Sequence, residues 1–341
     1  MAGGVPEEMP DAIAVRLPNW LGDTVMAVPA IRALRAAYPA ARVLLVGPWV
    51  SLLAGQGLAE LLVTYPRAWG ARLAMTDAAR RFAPDVAVLL PNSAESALAA
   101  WYWGARRRIG FAADGRGLLL TDAVAPPQPR LHQIDEYLVL AERAGGVTGE
   151  RVPYLAAPEA DHEDRHETRA LLRAAGAREG RVVIGVHLGA AYGPAKVWPL
   201  ERTAEFCRLA HAAGVDAVLL GAPADAAAAA SVAAVAPALN LVGRDRPQLL
   251  PALLSEIDAL VSGDTGVAHL AAALGTRVVT LFGPTDPALT APRGAAAAVL
   301  AHPVPCSPCF YRVCPIEHPC LRGIEPATVL ERALVAPAVH A

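Results

Sequence analysis

Apolar residues follow two rhythms along this chain. Short unbroken runs at Ile13–Leu17, Arg42–Gly47 and Asp85–Leu90 read as strands covered on both faces. After the first run, Val25, Met26, Val28, Ile31 and Leu34 recur at helical spacing, and residues 94–102 carry a second helical pattern. The rhythm is interrupted by the proline-rich run Ala123–Arg130, resumes with a helix over 132–144, and meets a Pro-containing connector at 152–158. A charged helix is predicted over 161–175. Beyond it the alternation is cleaner: strand 182–186, helix 200–213, strand 215–220, helix 223–236, helix 247–255, strand 257–261, a short helix through Val267, Leu270, Ala271 and Leu274, and strand 277–282. Strands alternating with helices imply an α/β protein with parallel sheet. The pattern predicts two Rossmann-like domains facing each other across a cleft, with the boundary in 150–160. The first spans 1–155 and the second 156–325, and a final helix within 326–341 would cross back toward the first.

Composition narrows the function. A chain of 341 residues supports two domains that each bury a core. A formal charge of −2 supplies no basic field for nucleic acid. Charge or proline breaks every apolar run before the length of a membrane span, and the acidic start Met1–Pro10 lacks an apolar signal core. These features predict a cytoplasmic protein whose membrane contact, if any, is peripheral.

Three turns offer chemistry. Gly263-Asp264-Thr265-Gly266 joins a strand to a helix, where open N–H groups and the helix dipole suit a phosphate. Asp-Thr-Gly also occurs in aspartic proteases, but those need paired carboxylates on an all-β scaffold. A helix cap would explain Asp264 but not His269, one turn beyond Thr265 on the same face. At the first strand–helix turn, Asp23 is either a cap or a carboxylate held ionised as a general base. The loop His187–Pro199, with Gly189 and Lys196, is Gly-rich without the ending of a Walker loop, and its lysine either meets a leaving diphosphate or is solvated. No Gly-x-Gly-x-x-Gly follows the first strand, no Asp-x-Asp suits a metal on a nucleotide sugar, and no Gly-x-Ser-x-Gly elbow is present.

Other features read two ways. Arg106-Arg107-Arg108, after Trp101-Tyr102-Trp103, would meet an anionic lipid core or membrane face, or else form a solvated strand edge. His162 and His166 stand one turn apart on a charged helix, with no third ligand evident. Cys306, Cys309, Cys314 and Cys320, with His318 nearby, offer either a structural zinc or iron site or reduced thiols packing a loop.

Together these segments resemble a family. Arg16–Ala30 closely resembles the opening of the bacterial ADP-heptose:lipopolysaccharide heptosyltransferases, glycosyltransferase family nine. Lys196-Val197-Trp198-Pro199 is similar to their donor loop, and Gly263–Ala271 to their donor motif. Phe282-Gly283-Pro284-Thr285 and the Cys306–Cys320 segment look like the heptosyltransferase II subgroup. The resemblance runs from about Ile13 to Val335. It implies a GT-B fold and inverting transfer of heptose from ADP-heptose to a hydroxyl of the lipopolysaccharide inner core, with no cofactor or metal required. It further implies Asp23 as base, Lys196 as diphosphate contact, Asp264 accepting sugar hydroxyls, and the N–H groups of Thr265 and Gly266 taking phosphate. Gly189 falls in the donor loop, Asp225 would hold ribose hydroxyls, and His269 lies near the donor or supports the turn. The rival expectations are another nucleotide sugar or a small natural-product acceptor on the same fold, a non-catalytic sugar-nucleotide-binding protein, or a nucleotide-sugar epimerase.

Overall fold

The computed structural model describes residues 9–66, 68–244 and 246–335. The chain divides into two compact units, 1–155 and 156–341. The first holds a sheet of strands β1 (Ala12–Arg16), β2 (Arg42–Gly47), β3 (Leu61–Thr64), β4 (Val86–Leu89), β5 (Arg107–Phe111) and β6 (Asp122–Val124), in spatial order β3-β2-β1-β4-β5-β6. The second holds β7 (Val183–His187), β8 (Asp216–Leu220), β9 (Leu239–Asn240), β10 (Ala259–Gly263), β11 (Arg277–Phe282) and β12 (Ala297–Ala301), in order β12-β11-β10-β7-β8-β9. Every pairing is parallel. Each sheet therefore has Rossmann-type order, reversing between β1 and β4 in one unit and between β7 and β10 in the other. Loops leaving those strands at their carboxyl ends border the crevice where such sheets bind ligands.

Burial explains the apolar runs. β1, β4, β8 and β10 are buried at every position, as strands with helices on both faces must be. Side chains also set the helix starts. Ser93 Oγ accepts from Ser96 N at 3.3 Å, and His132 Nδ1 from Ile134 N at 3.2 Å. His162 does the same for Asp164 N at 3.2 Å, so this histidine of the expected 162/166 pair is an N-cap.

Some elements differ from the sequence expectation. The helix after β1 is two segments, Leu21–Met26 and Val28–Ala37, because Pro29 has no N–H to continue the ladder. Pro223–Asp225 is a 3₁₀ turn, and the α-helix begins at Ala226. Strands β3, β6, β9 and β12 were not predicted; they are short or half-exposed edge elements without a clear alternation. The final helix, Pro326–Leu334, packs on the helix Leu200–Ala212 and on β10 and β11 of its own unit. Residues 336–341 of the expected crossing lie outside the described residues.

Candidate functional site

In the second unit the loops after β7 and β10 meet at the strand-order reversal. Lys196, at the end of a 3₁₀ turn over Pro194–Lys196, donates from Nζ to Asp264 Oδ2 at 2.5 Å and to the Asp264 carbonyl at 3.2 Å. Both side chains are nearly out of water, 11% and 6% exposed. Thr285 Oγ1 donates to the same carboxylate oxygen at 2.8 Å, and Thr290 Oγ1 reaches it at 3.5 Å. All these side-chain bonds fall on Oδ2. A close backbone approach makes the pairing possible, since a Cβ at Gly263 would run into the Lys196 carbonyl. Trp198, buried against Phe206, donates Nε1–H to the Leu321 carbonyl at 3.2 Å and anchors the far end of the loop.

The helix Gly266–Ala273 starts at Thr265, whose side chain makes no capping bond. Thr265 Oγ1 pairs instead with Ser262 Oγ at 2.8 Å. Asp264 is therefore not the helix cap; its carboxylate faces the lysine. His269 is buried on the same helix. Beside this group, the Asp225 carboxylate lies so close to Gly189 and Gly221 that a Cβ at either would meet it, and its Oδ2 accepts from Ala222 N at 2.9 Å. His187, at the end of β7, feels the Asp225 charge, but burial of the ring dominates and lowers its pKa. Gly189, Lys196, Asp225, Asp264, Thr265 and Gly266 thus belong to one unit, on the loops that follow β7, β8 and β10.

In the first unit Asp23 lies in the first turn of Leu21–Met26, one residue past Gly22 and half-buried. It is not the N-cap, a position held by Trp20. The turn is braced from behind. Arg16, buried at the end of β1, donates to Asn19 Oδ1 at 2.8 Å and stacks on Tyr65 with Cζ 3.8 Å from the ring centre. Trp49 Nε1 donates to the Asn19 carbonyl at 3.1 Å, and Thr24 Oγ1 to the Trp20 carbonyl at 3.0 Å. Tyr137, on the helix Gln133–Arg143, is fully buried; desolvation, then the charges of Asp23 and Glu136, hold its phenol well above the usual range. It remains a neutral phenol near Asp23 at any working pH.

The model of glycosyltransferase family 9 (heptosyltransferase) matches residues 72–319. The chain belongs to this family. It is 30% identical to lipopolysaccharide heptosyltransferase 2 of Escherichia coli K12, over 83% of this chain and 86% of that protein. The solved E. coli ADP-heptose lipopolysaccharide heptosyltransferase II superposes with TM-score 0.77 at 28% identity, covering 94% of this chain and 97% of that one. The iron-containing dodecameric glycosyltransferase TibC of enterotoxigenic E. coli superposes with TM-score 0.57 at 13% identity, over 95% and 75% of the two chains. That likeness concerns the fold alone. Two Rossmann-type units in one family 9 chain constitute the GT-B fold.

Other predicted features resolve differently. Arg106 pairs with Asp85 at 2.8 Å and Arg107 with Asp122 at 3.2 Å, while Arg108 donates to the carbonyls of Leu119 and Ala105 at 2.8 and 2.7 Å. All three arginines thus find partners within their own unit, although Arg106 stays 71% exposed and Arg108 meets carbonyls rather than a carboxylate. Cys306 is exposed, Cys309 and Cys314 half-buried and Cys320 buried, all as free thiols. Among the described residues no three His, Cys, Asp or Glu side chains gather as a metal requires. Cys309 N is tied to the Pro284 carbonyl at 3.1 Å, and Cys314 Sγ accepts from His318 N at 3.2 Å. Burial raises the Cys320 pKa, and the charges of Cys314 and Cys306 add to the rise. Among the described residues no helix is long and apolar enough to cross a membrane.

The sequence reading gave no site role to Thr285 or Tyr137, which the structure sets beside Asp264 and near Asp23. A hydroxyl's partner many residues away leaves no local pattern.

Proposed function

We propose that this chain is an inverting transferase that moves heptose from ADP-heptose to a hydroxyl of the lipopolysaccharide inner core. The observation that carries this reading is the Lys196–Asp264–Thr285 constellation at the strand-order reversal of the second unit, in a family 9 chain. Asp23 takes the proton of the acceptor hydroxyl as its oxygen bonds to the anomeric carbon and the bond to the diphosphate oxygen breaks. ADP departs as an anion. Its charge is met by Lys196 and by the N–H groups of Thr265 and Gly266 at a helix start. Asp264 accepts sugar hydroxyls through Oδ1, since Oδ2 is committed to Lys196 and Thr285. Asp225 holds the ribose hydroxyls, and Gly189 leaves room for its carboxylate. His269 supports the turn from inside the helix. No step calls on a metal, so transfer should survive EDTA. The same reading places the protein in the cytoplasm, where nucleotide sugars are used, with any membrane contact peripheral and at the acceptor.

The test is a thermal-shift panel followed by a transfer assay. ADP-heptose should raise the melting temperature well above the shift produced by UDP-glucose, and product should require an acceptor. Equal shifts would overturn the ADP-heptose assignment. Turnover of donor without any acceptor would instead favour an epimerase.

A further inference from the structure

The segment 306–320 does more than close the second unit: it is strapped across the donor loop. Tyr192 Oη donates to the Phe310 carbonyl at 2.5 Å, and Ala195 N donates to the Arg312 carbonyl at 3.1 Å. Gly193 fits beneath this crossing only because it has no side chain, since a Cβ there would sit 2.5 Å from the Arg312 carbonyl oxygen. The strap is also fixed on the Thr285 side, where Ser307 Oγ donates to the Gly283 carbonyl at 2.6 Å and Phe310 N to the Pro284 carbonyl at 2.7 Å. It therefore ties together the loops that carry Lys196 and the Asp264-binding threonine.

This placement brings a second cation to the site. The Arg312 guanidinium stacks over the Tyr192 ring with Cζ 5.3 Å from its centre, and the Lys196 ammonium lies 4.6 Å from the centre of that same ring. Among the described residues Arg312 has no carboxylate partner, whereas Lys196 is already bonded to Asp264. The lysine and aspartate sum to zero charge, and Asp225 adds a negative one nearby. Without Arg312 the three named residues carry a net negative charge, Arg312 brings the set to neutrality, and a nucleoside diphosphate then adds further negative charge. An arginine fork is suited to phosphate oxygens in a way that a point-charged lysine is not.

We propose that Arg312 is a second cationic contact for the diphosphate of a nucleotide-sugar donor, aimed by the Tyr192 ring and delivered by the strap. This rests on the donor-site reading given above. In the strap it is the backbone of Arg312 that bonds to the donor loop, so truncating its side chain leaves those bonds in place.

The experiment is calorimetric titration of the wild type, Arg312→Gln and Lys196→Ala with ADP, AMP and adenosine. Loss of a charge-assisted bond should weaken ADP binding to Arg312→Gln by roughly ten- to a hundredfold. AMP should lose less, and adenosine should change within about twofold, because only phosphate oxygens meet the fork. Arg312→Lys should recover part of the loss. Unchanged ADP affinity in Arg312→Gln, with Lys196→Ala weakened, overturns the inference and leaves the donor site standing. Equal losses for ADP and adenosine also overturn it, since they mark Arg312 as a loop support. If neither variant alters ADP affinity, the donor-site reading fails together with the inference.

Discussion

Lys196 Nζ and Asp264 Oδ2 lie 2.5 Å apart, an ion pair almost withdrawn from water at the point where two strand-end loops meet. Removing one member of such a pair strands the other, and the penalty is largely that of an uncompensated buried charge. Asp264→Ala should cost about 3–5 kcal/mol of stability in urea unfolding. Lys196→Ala should cost less, because Thr285 continues to donate to the carboxylate. The double variant should be more stable than the sum of the single losses predicts. Strict additivity would mean that the two side chains do not act as a unit.

Asp23 separates chemistry from binding. Asp23→Asn keeps the volume and the first-turn position while removing the proton acceptor, so donor affinity should stay within a few-fold. The rate should fall roughly a hundredfold or more, the scale of general base catalysis. Single-turnover transfer measured beside donor titration resolves the two. A near-wild-type rate would return Asp23 to a structural role in its helix turn.

Two glycines hold the site open by having no side chain. A methyl at Gly263 would press on the Lys196 carbonyl, which is backbone and has little room to yield. One at Gly189 would press on the Asp225 carboxylate, a side chain that can turn away. Gly263→Ala should therefore cost stability on the order of 1–3 kcal/mol, the range for overpacking. Gly189→Ala should keep its melting temperature yet lose nucleotide affinity as Asp225 is displaced. The reverse ranking in paired melting and ADP titrations would contradict this geometry.

Much of this arrangement was legible in the sequence, and the reasons are local. β2 and β11 match their apolar runs to the residue, because central parallel strands are buried on both faces and read as unbroken hydrophobic stretches. The edges β3, β9 and β12 did not announce themselves: half-exposed residues satisfy no period, and their pairing is decided by the neighbouring strand. The site divides the same way. Asp23, Lys196 and Asp264 stand in turns with recognisable glycines and strand ends. Their partners do not, since Thr285 finds Asp264 across 21 residues and Lys196 finds it across 68. Arg312 was hidden for the same reason, inside a segment where the cysteines drew the chemical attention.

The pH profile should carry a signature of His187. Burial lowers its pKa below the ordinary histidine value, and the Asp225 charge opposes that only in part. Between its folded pKa and the unfolded value near 6.5, the unfolded chain binds more protons, so stability must fall as pH falls through that window. Above the unfolded pKa the contribution is complete. Melting temperature measured from pH 7.5 downward should decline less in His187→Asn than in the wild type. Asp225→Ala removes the opposing charge and should extend the decline to lower pH. Parallel profiles for wild type and His187→Asn would show that the ring is solvated and titrates normally.

Thiol reactivity tests the cysteine strap. The thiolate is the reacting species, so exposure and pKa together set the order of alkylation. Cys306 is exposed and should react first, followed by the half-buried Cys309 and Cys314. Cys320 is buried, with its pKa raised chiefly by desolvation, and should lag. Cys207, buried in the core of the second unit with a pKa pushed up to about 12, should stay unmodified until the protein unfolds. A bound zinc or iron would produce a different pattern, protecting Cys306, Cys309, Cys314 and Cys320 together until chelator was added. Timed alkylation read by mass spectrometry, beside elemental analysis of protein purified without added metal, distinguishes the two. Graded reactivity with substoichiometric metal is the outcome expected of a strap held by hydrogen bonds to the backbone of Pro284 and Ala195 and to the Tyr192 hydroxyl. Uniform protection released by chelator would mean that metal, rather than those bonds, gives the strap its shape.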